Sequence, residues 1–247
     1  MSWTDRLHTN GISPTTQKSG RRLTKGSLKS AIAQVRGSLR PDAAGNEIDE
    51  SELAGYEWRL LKSYCSEQGL IVPASMMPLK RGGAEHDVLY DSGRWLKFTL
   101  PLRAGYTVYV DCDTAMMLPA TPLQYLARWR IANRIFRDDV ELIGVLETDV
   151  GSRIVISQRD IAGEDATWDE IEGLFVSQMG FKRVDPPRLD SCGGYHSRAY
   201  WRGRYAVFDV RPPNCVRTAS GVVEPIDVIP IVCSLAAAKY LSGYVVH

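Results

Sequence analysis

Tyr205-Ala206-Val207-Phe208-Asp209-Val210-Arg211-Pro212-Pro213-Asn214 is the stretch on which the reading of this chain turns. Its apolar start predicts a strand over 205–210. Asp209 leaves the end of that strand, and the paired prolines predict an extended, rigid loop. Asn214 stands five residues after Asp209, and Asp227 stands thirteen after Asn214, within Pro225-Ile226-Asp227-Val228. A further strand is expected over 222–229, with Asp227 near its end. A carboxylate and a carboxamide on adjacent strand ends suit a hard, oxygen-ligated cation such as Mg2+. A second carboxylate close by can orient a hydroxyl or accept its proton.

Toward the N-terminus, Gly82-Gly83 opens a hairpin expected over 87–91 and 94–99, with Ser92-Gly93 at its turn. Lys97 lies in the second strand, within Trp95-Leu96-Lys97-Phe98, fourteen residues after Gly83. A cation in so apolar a strand needs a partner. Leu53, Tyr56, Leu60, Leu61 and Tyr64 recur at helical spacing, predicting a helix over 51–68 that Gly69 ends. Thr121 followed by Pro122 predicts a second helix over 122–137. Its apolar face is Tyr125, Leu126, Trp129, Ala132 and Phe136, and Arg130, Arg134 and Arg137 lie opposite. Strands are expected over 106–110, 142–147 and 153–158, a helix over 168–179 and a hairpin around Arg202-Gly203. A short helix closes the chain over 236–241. The order is α+β and lacks the strand–helix alternation of a doubly wound sheet.

Composition removes other classes. The 247 residues are 44% hydrophobic and 24% charged, which excludes collagen, coiled coil and wholesale disorder. The length suits one sizeable domain or two small lobes. No apolar run approaches the roughly 18 residues of a membrane span, and residues 9–25 are too polar for a secretory signal. The expectation is a cytoplasmic protein with no membrane association. Five cysteines without a C-x-x-C pair argue against a disulfide framework or a zinc ribbon. The formal charge of +1 hides an asymmetry. Residues 1–41 carry eight Lys and Arg against Asp5 alone, a net +7 that leaves −6 for the rest. Residues 1–50 read as a flexible basic tail, or as a basic arm for nucleic acid or an acidic partner. Within it, Leu28, Ile32 and Val35 share a face if 25–37 is helical. Tyr195, Arg198, Tyr200, Trp201, Arg202, Arg204 and Tyr205 interleave bases with rings. That pattern fits stacking on single-stranded nucleic acid and equally a half-buried hairpin. His86 and His196 have no visible partner and read as turn or core residues.

Taken together, these segments resemble protein-kinase-like phosphotransferases, and in particular the small kinase-like domains of polyvalent proteins from phages and mobile elements. The resemblance rests on 82–86, Arg94-Trp95-Leu96-Lys97, Tyr125-Leu126-Ala127-Arg128 with Asn133 and Phe136, Ile156-Ser157-Gln158, Asp209 to Asn214, and Pro225-Ile226-Asp227. It implies a minimal two-lobed fold with an antiparallel N-lobe sheet over 51–158 and a hinge with a reduced C-lobe over 159–247. It also implies ATP and Mg2+ as cofactors. Gly82 and Gly83 would cover the nucleotide, Lys97 would hold its phosphates, and the hinge from Gln158 to Ile161 would meet the adenine. Asp209 would act on the acceptor hydroxyl of a protein or small molecule, and Asn214 and Asp227 would ligate the metal.

The pattern departs from the family in places. Two glycines replace G-x-G-x-x-G, Val207-Phe208 replaces the His-Arg before the catalytic Asp, and Val228-Ile229 replaces the Phe-Gly after the metal Asp. The helix after Lys97 carries no Glu. Gln124, Asn133, Glu57 and Glu85 are the candidate polar contacts for Lys97. A catalytically inactive pseudokinase-like binding module is the first alternative, and a nucleic-acid-binding protein using the basic tail is the second.

Overall fold

A computed structural model describes residues 25–38, 50–78, 83–187 and 197–246 of the chain. It is α+β with antiparallel sheets. The chain divides into two compact units, one formed by Thr16–Tyr106 with Pro119–Asp160 and the other containing Thr107–Leu118 and Ile161–His247. The elements in chain order are α1 (Leu28–Ser38), α2 (Glu50–Glu67), β1 (His86–Asp91), β2 (Arg94–Thr99), β3 (Tyr106–Val110), β4 (Ala115–Pro119), α3 (Pro122–Ile135), β5 (Glu141–Thr148) and β6 (Gly151–Arg159). There follow β7 (Gly163–Asp165), α4 (Trp168–Glu172), β8 (Lys182–Val184), β9 (Arg198–Arg202), β10 (Tyr205–Val210), β11 (Cys215–Thr218), β12 (Val223–Pro225), β13 (Ile229–Val232) and α5 (Leu235–Ser242).

The first unit is built on an antiparallel sheet of order β1-β2-β6-β5. Its two faces carry different cores. Leu142, Val145, Ile154 and Ile156 turn toward α1, α2 and α3, packing with Leu61, Tyr125, Leu126 and Trp129. Leu96, Phe98, Ile143, Leu146 and Val155 form the opposite face with Val72 and Met76. Alternation along β2 therefore sends Lys97 to the helix side, opposite Ile156 in register, while its neighbours Leu96 and Phe98 go to the other. The α3 start is well specified. Thr121 accepts from the Gln124 backbone N–H, Gln124 reaches back to Thr121, and Pro122 takes the first turn. Gly69, at φ 66, ends α2, with Leu70 N–H bonded to Cys65 O.

Three expectations are corrected. The basic segment 1–50 is not a tail throughout, because α1 buries Leu28, Ala31, Ile32 and Val35 in the main core. Its i, i+3, i+4, i+7 apolar stripe outweighs the polar composition around it. Residues 1–24 lie outside the described residues. The expected helix over 168–179 is α-helical only to Glu172 and continues with the wider π winding through Gly173–Gln178. The strand expected over 222–229 is two strands, β12 and β13, separated at residues 226–228.

The second unit holds a sheet of order β13-β10-β9-β8 and a smaller one of order β12-β11-β7. Phe175 stacks on Tyr200 with ring centroids 4.6 Å apart and meets Phe181 edge-on, so the wide helical turn is seated on β9 by aromatic packing. Among the described residues no helix is long and apolar enough to cross a membrane.

Candidate functional site

Two clusters of chemistry-bearing residues emerge, one in each unit. In the second unit, Asp209 is the penultimate residue of β10, and its φ of 52 is left-handed, a conformation costly for a residue other than glycine. The β9–β10 register shifts between Val207 and Val210, so the strand bulges where Asp209 stands. The prolines do not extend the loop as expected. Arg211 is extended at φ −155, and Pro212–Asn214 then closes a single tight 3-10 turn.

Asn214 is buried and joins three parts of this loop. Its amide nitrogen donates to Asp209 O at 2.8 Å and to Asp209 Oδ2 at 2.9 Å. Its backbone carbonyl accepts from Ile226 N at 2.9 Å, which brings in the residue immediately before Asp227. Asn214 Oδ1 remains the acceptor end of the side chain, since both bonds to Asp209 use the nitrogen. Arg211 Nε stands 3.3 Å from Asp209 Oδ1. Cys215, behind the loop, is fully buried, and burial with the nearby Asp209 charge pushes its thiol well above the usual range. Asp227 lies in the bend between β12 and β13. The residues expected from sequence as one loop system, Asp209, Asn214 and the 225–227 segment, are thus joined by hydrogen bonds.

In the first unit, the Lys97 side chain is only 7% exposed. Its ammonium lies 4.9 Å from the centroid of the Trp129 ring on α3, a cation–π contact in a dry setting. Each candidate contact for Lys97 has a role in the surrounding structure. Gln124 completes the α3 capping box. Asn133 bonds both the N–H and the carbonyl of Val140. Glu57 is buried and accepts from Leu123 N at 2.8 Å, anchoring the start of α3. Burial raises the Glu57 carboxyl, and bonds from Thr121 and Leu123 partly offset it. Glu85 accepts from Arg128 at 2.6 Å and from Tyr106 N at 3.0 Å. The sequence reading passed over Asp138, which accepts from Asp139 N at 2.8 Å and from Gln158 Nε2 at 2.6 Å. Desolvation raises its carboxyl, while the Lys97 charge and bonds from Asp139 N and Gln158 pull the other way.

The remaining sequence candidates divide. Gly82 lies outside the described residues, and Gly83 N donates to His86 O at 2.8 Å within a turn. Gln158 is buried on β6 and donates Nε2 to Asp138 Oδ2 at 2.6 Å. Ile161 is where the chain passes from one unit to the other. His86 has a core role, with Nε2 2.8 Å from Tyr125 Oη; His196 lies outside the described residues. The interleaved rings and arginines of β9 are largely used within the fold. Tyr200 is fully buried and shares Glu172 with Arg198, which also covers Trp168 at 4.1 Å.

No signal in the sequence marked Asp138, because its bond to Gln158 arises from β6 meeting the turn after α3. No family model, curated protein or solved structure matches the chain.

Proposed function

We propose that this protein is a kinase-like phosphotransferase, moving the γ-phosphoryl group of ATP to a protein or small-molecule hydroxyl. One observation carries the reading: buried Asn214 ties the carboxylate and the carbonyl of Asp209 to the loop that ends in Asp227. A left-handed aspartate held by a buried amide is the kind of strain that persists where surrounding structure over-determines it. The lysine strand adds support, with a cation on the helix-facing side of an antiparallel sheet and the following helix packed against it.

The donors fit Mg2+. Asn214 offers an amide oxygen and Asp227 a carboxylate, both hard oxygen ligands. Bound there, the ion would neutralise charge developing on the transferred group. Asp209 would orient the acceptor hydroxyl and take its proton, and Lys97 would hold phosphate oxygens as a point charge. Asn214 would serve twice, through Oδ1 toward the metal and through its nitrogen to fix the Asp209 carboxylate.

The test is a pair of measurements on the full chain. ATP with Mg2+ is expected to raise the melting temperature, and the rise is expected to vanish in Asp227→Asn. Radiolabelled γ-phosphate transfer is expected to fall by about a hundredfold or more in Asp209→Ala. Nucleotide binding without transfer, across protein and small-molecule acceptors, would favour the inactive binding module. No response to nucleotide at any metal concentration would end both versions.

A further inference from the structure

We propose that the end of the β9–β10 hairpin is a contact surface for single-stranded nucleic acid, held through its phosphates and by stacking of its bases. The surface lies wholly in the second unit and is independent of the phosphotransfer reading.

The charges of that unit are unevenly paired. Arg217 meets Glu164 and Glu170, Arg198 meets Glu172, and Arg211 meets Asp209. Lys182, Arg202 and Arg204 are exposed and form no ion pair among the described residues. The strand order β13-β10-β9-β8 gathers all three at one end of the sheet. Lys182 is the register partner of Trp201, and Arg202 is that of Tyr205. Arg204 stands in the turn between β9 and β10, after Gly203 at φ 57. Three like charges gathered there repel one another, and a row of phosphates offsets that repulsion.

Each cation has a ring beside it. Residues directly opposite in an antiparallel pair put their side chains on one face, so Lys182 shares a face with half-buried Trp201. Trp201 Nε1–H donates to Gly203 O at 2.8 Å. That is the only donor an indole has, so what Trp201 offers a ligand is the flat face of its ring. The Arg202 guanidinium lies 4.7 Å from the centroid of buried Phe181 and donates to Met179 O. These contacts hold it over the ring while the residue stays exposed, and a guanidinium plane is itself a platform on which a base stacks. Arg204 carries its charge 5.9 Å from the Tyr205 ring. Rings alternating with cations suit a strand that presents phosphates and base faces together. An acidic peptide would use the cations and leave the ring faces idle, and a duplex keeps its bases in the stack.

The full chain is titrated into fluorescein-labelled oligothymidylate and oligouridylate of about 15 nucleotides, followed by anisotropy across salt concentrations. Binding is expected, and the difference between the two oligomers assigns the surface to DNA, RNA or both. Lys182→Gln with Arg204→Gln, both at exposed positions, is expected to make the slope of log affinity against log salt shallower by about 1.4, the contribution of two phosphate contacts on a single strand. Trp201→Leu keeps an apolar side chain without a flat face and is expected to weaken binding at least about fivefold, with most of it restored in Trp201→Phe. Equal losses in those two variants, or an unchanged salt slope in the double variant, overturn the proposal. So does loss of binding on joint Arg6→Gln, Lys18→Gln, Arg21→Gln and Arg22→Gln substitution while the hairpin variants bind as wild type, which assigns the contact to the N-terminal segment. Oligoglutamate competing as well as oligothymidylate would make the partner an acidic peptide and overturn it too, and no binding of either oligonucleotide at low salt ends it.

Discussion

Removing the Asn214 side chain tests the loop on which the functional reading depends. Asn214→Ala deletes one bond to a backbone carbonyl and one to a carboxylate that is 20% exposed. A neutral hydrogen bond contributes about 1 kcal/mol and one to a charged group about 1.5–3 kcal/mol. Asp209 also sits at φ 52, so its strained backbone loses a restraint. The expected cost is about 2–4 kcal/mol, read from urea unfolding as a lower midpoint with an unchanged slope. A second substitution sharpens the test. Asp209→Gly removes the carboxylate and relaxes the left-handed penalty together. In that background Asn214→Ala is expected to cost only about 1 kcal/mol, the worth of the remaining carbonyl bond. If Asn214→Ala costs below about 0.5 kcal/mol, or costs the same in both backgrounds, the coupling between these two residues is absent and the reasoning fails.

Three further outcomes are expected. Ionising buried Glu57 in the fold is unfavourable, so its stabilising contribution is complete below its ordinary value of 4.5 and is lost as pH rises through the raised folded value; Glu57→Gln should flatten melting temperature against pH above 4.5, and an unaltered slope would count against the burial argument. Asp87→Ala leaves the guanidinium of Arg153, 2% exposed, without its carboxylate, at an expected cost of about 3–5 kcal/mol; a denaturation midpoint within error of wild type would refute it. Among the described cysteines, exposed Cys112 should react first with a thiol reagent, while Cys65, pushed up to about 12 by burial, should stay protected until unfolding; mass spectrometry of the labelled native protein decides, and early modification of Cys65 would contradict its placement.

Much of the fold was legible because local rules agreed with it. Thr121-Pro122 marks the α3 start by chemistry that acts within one turn, and the structure has the Thr121 cap as expected, with Gln124 completing it. Ser92-Gly93 marks the β1–β2 turn in the same way, with both residues at positive φ. The pattern weakened where tertiary packing ruled. Gly173–Gln178 has helical spacing, yet stacking of Phe175 on Tyr200 accompanies a wider winding there. Pro212-Pro213 restricts φ without choosing ψ, so the chain forms a tight turn instead of an extended loop. β7 and β8 span three residues each, too short for period-two alternation to register.

The candidate residues divide along the same line. Sequence by itself determined that Lys97 is a cation in an apolar strand, that Asp209 and Asn214 share one loop, and that the order of elements is α+β. These follow from residue type, spacing and short-range geometry. Only tertiary structure decided that Lys97 faces α3, that Asn214 bonds Asp209 through its nitrogen, and that Asp138 meets Gln158 of β6. A hydrogen-bond partner is chosen by distance in space. Asp138 is 20 residues from Gln158 along the chain, and the two are brought together by a strand and a helix end that no local pattern encodes.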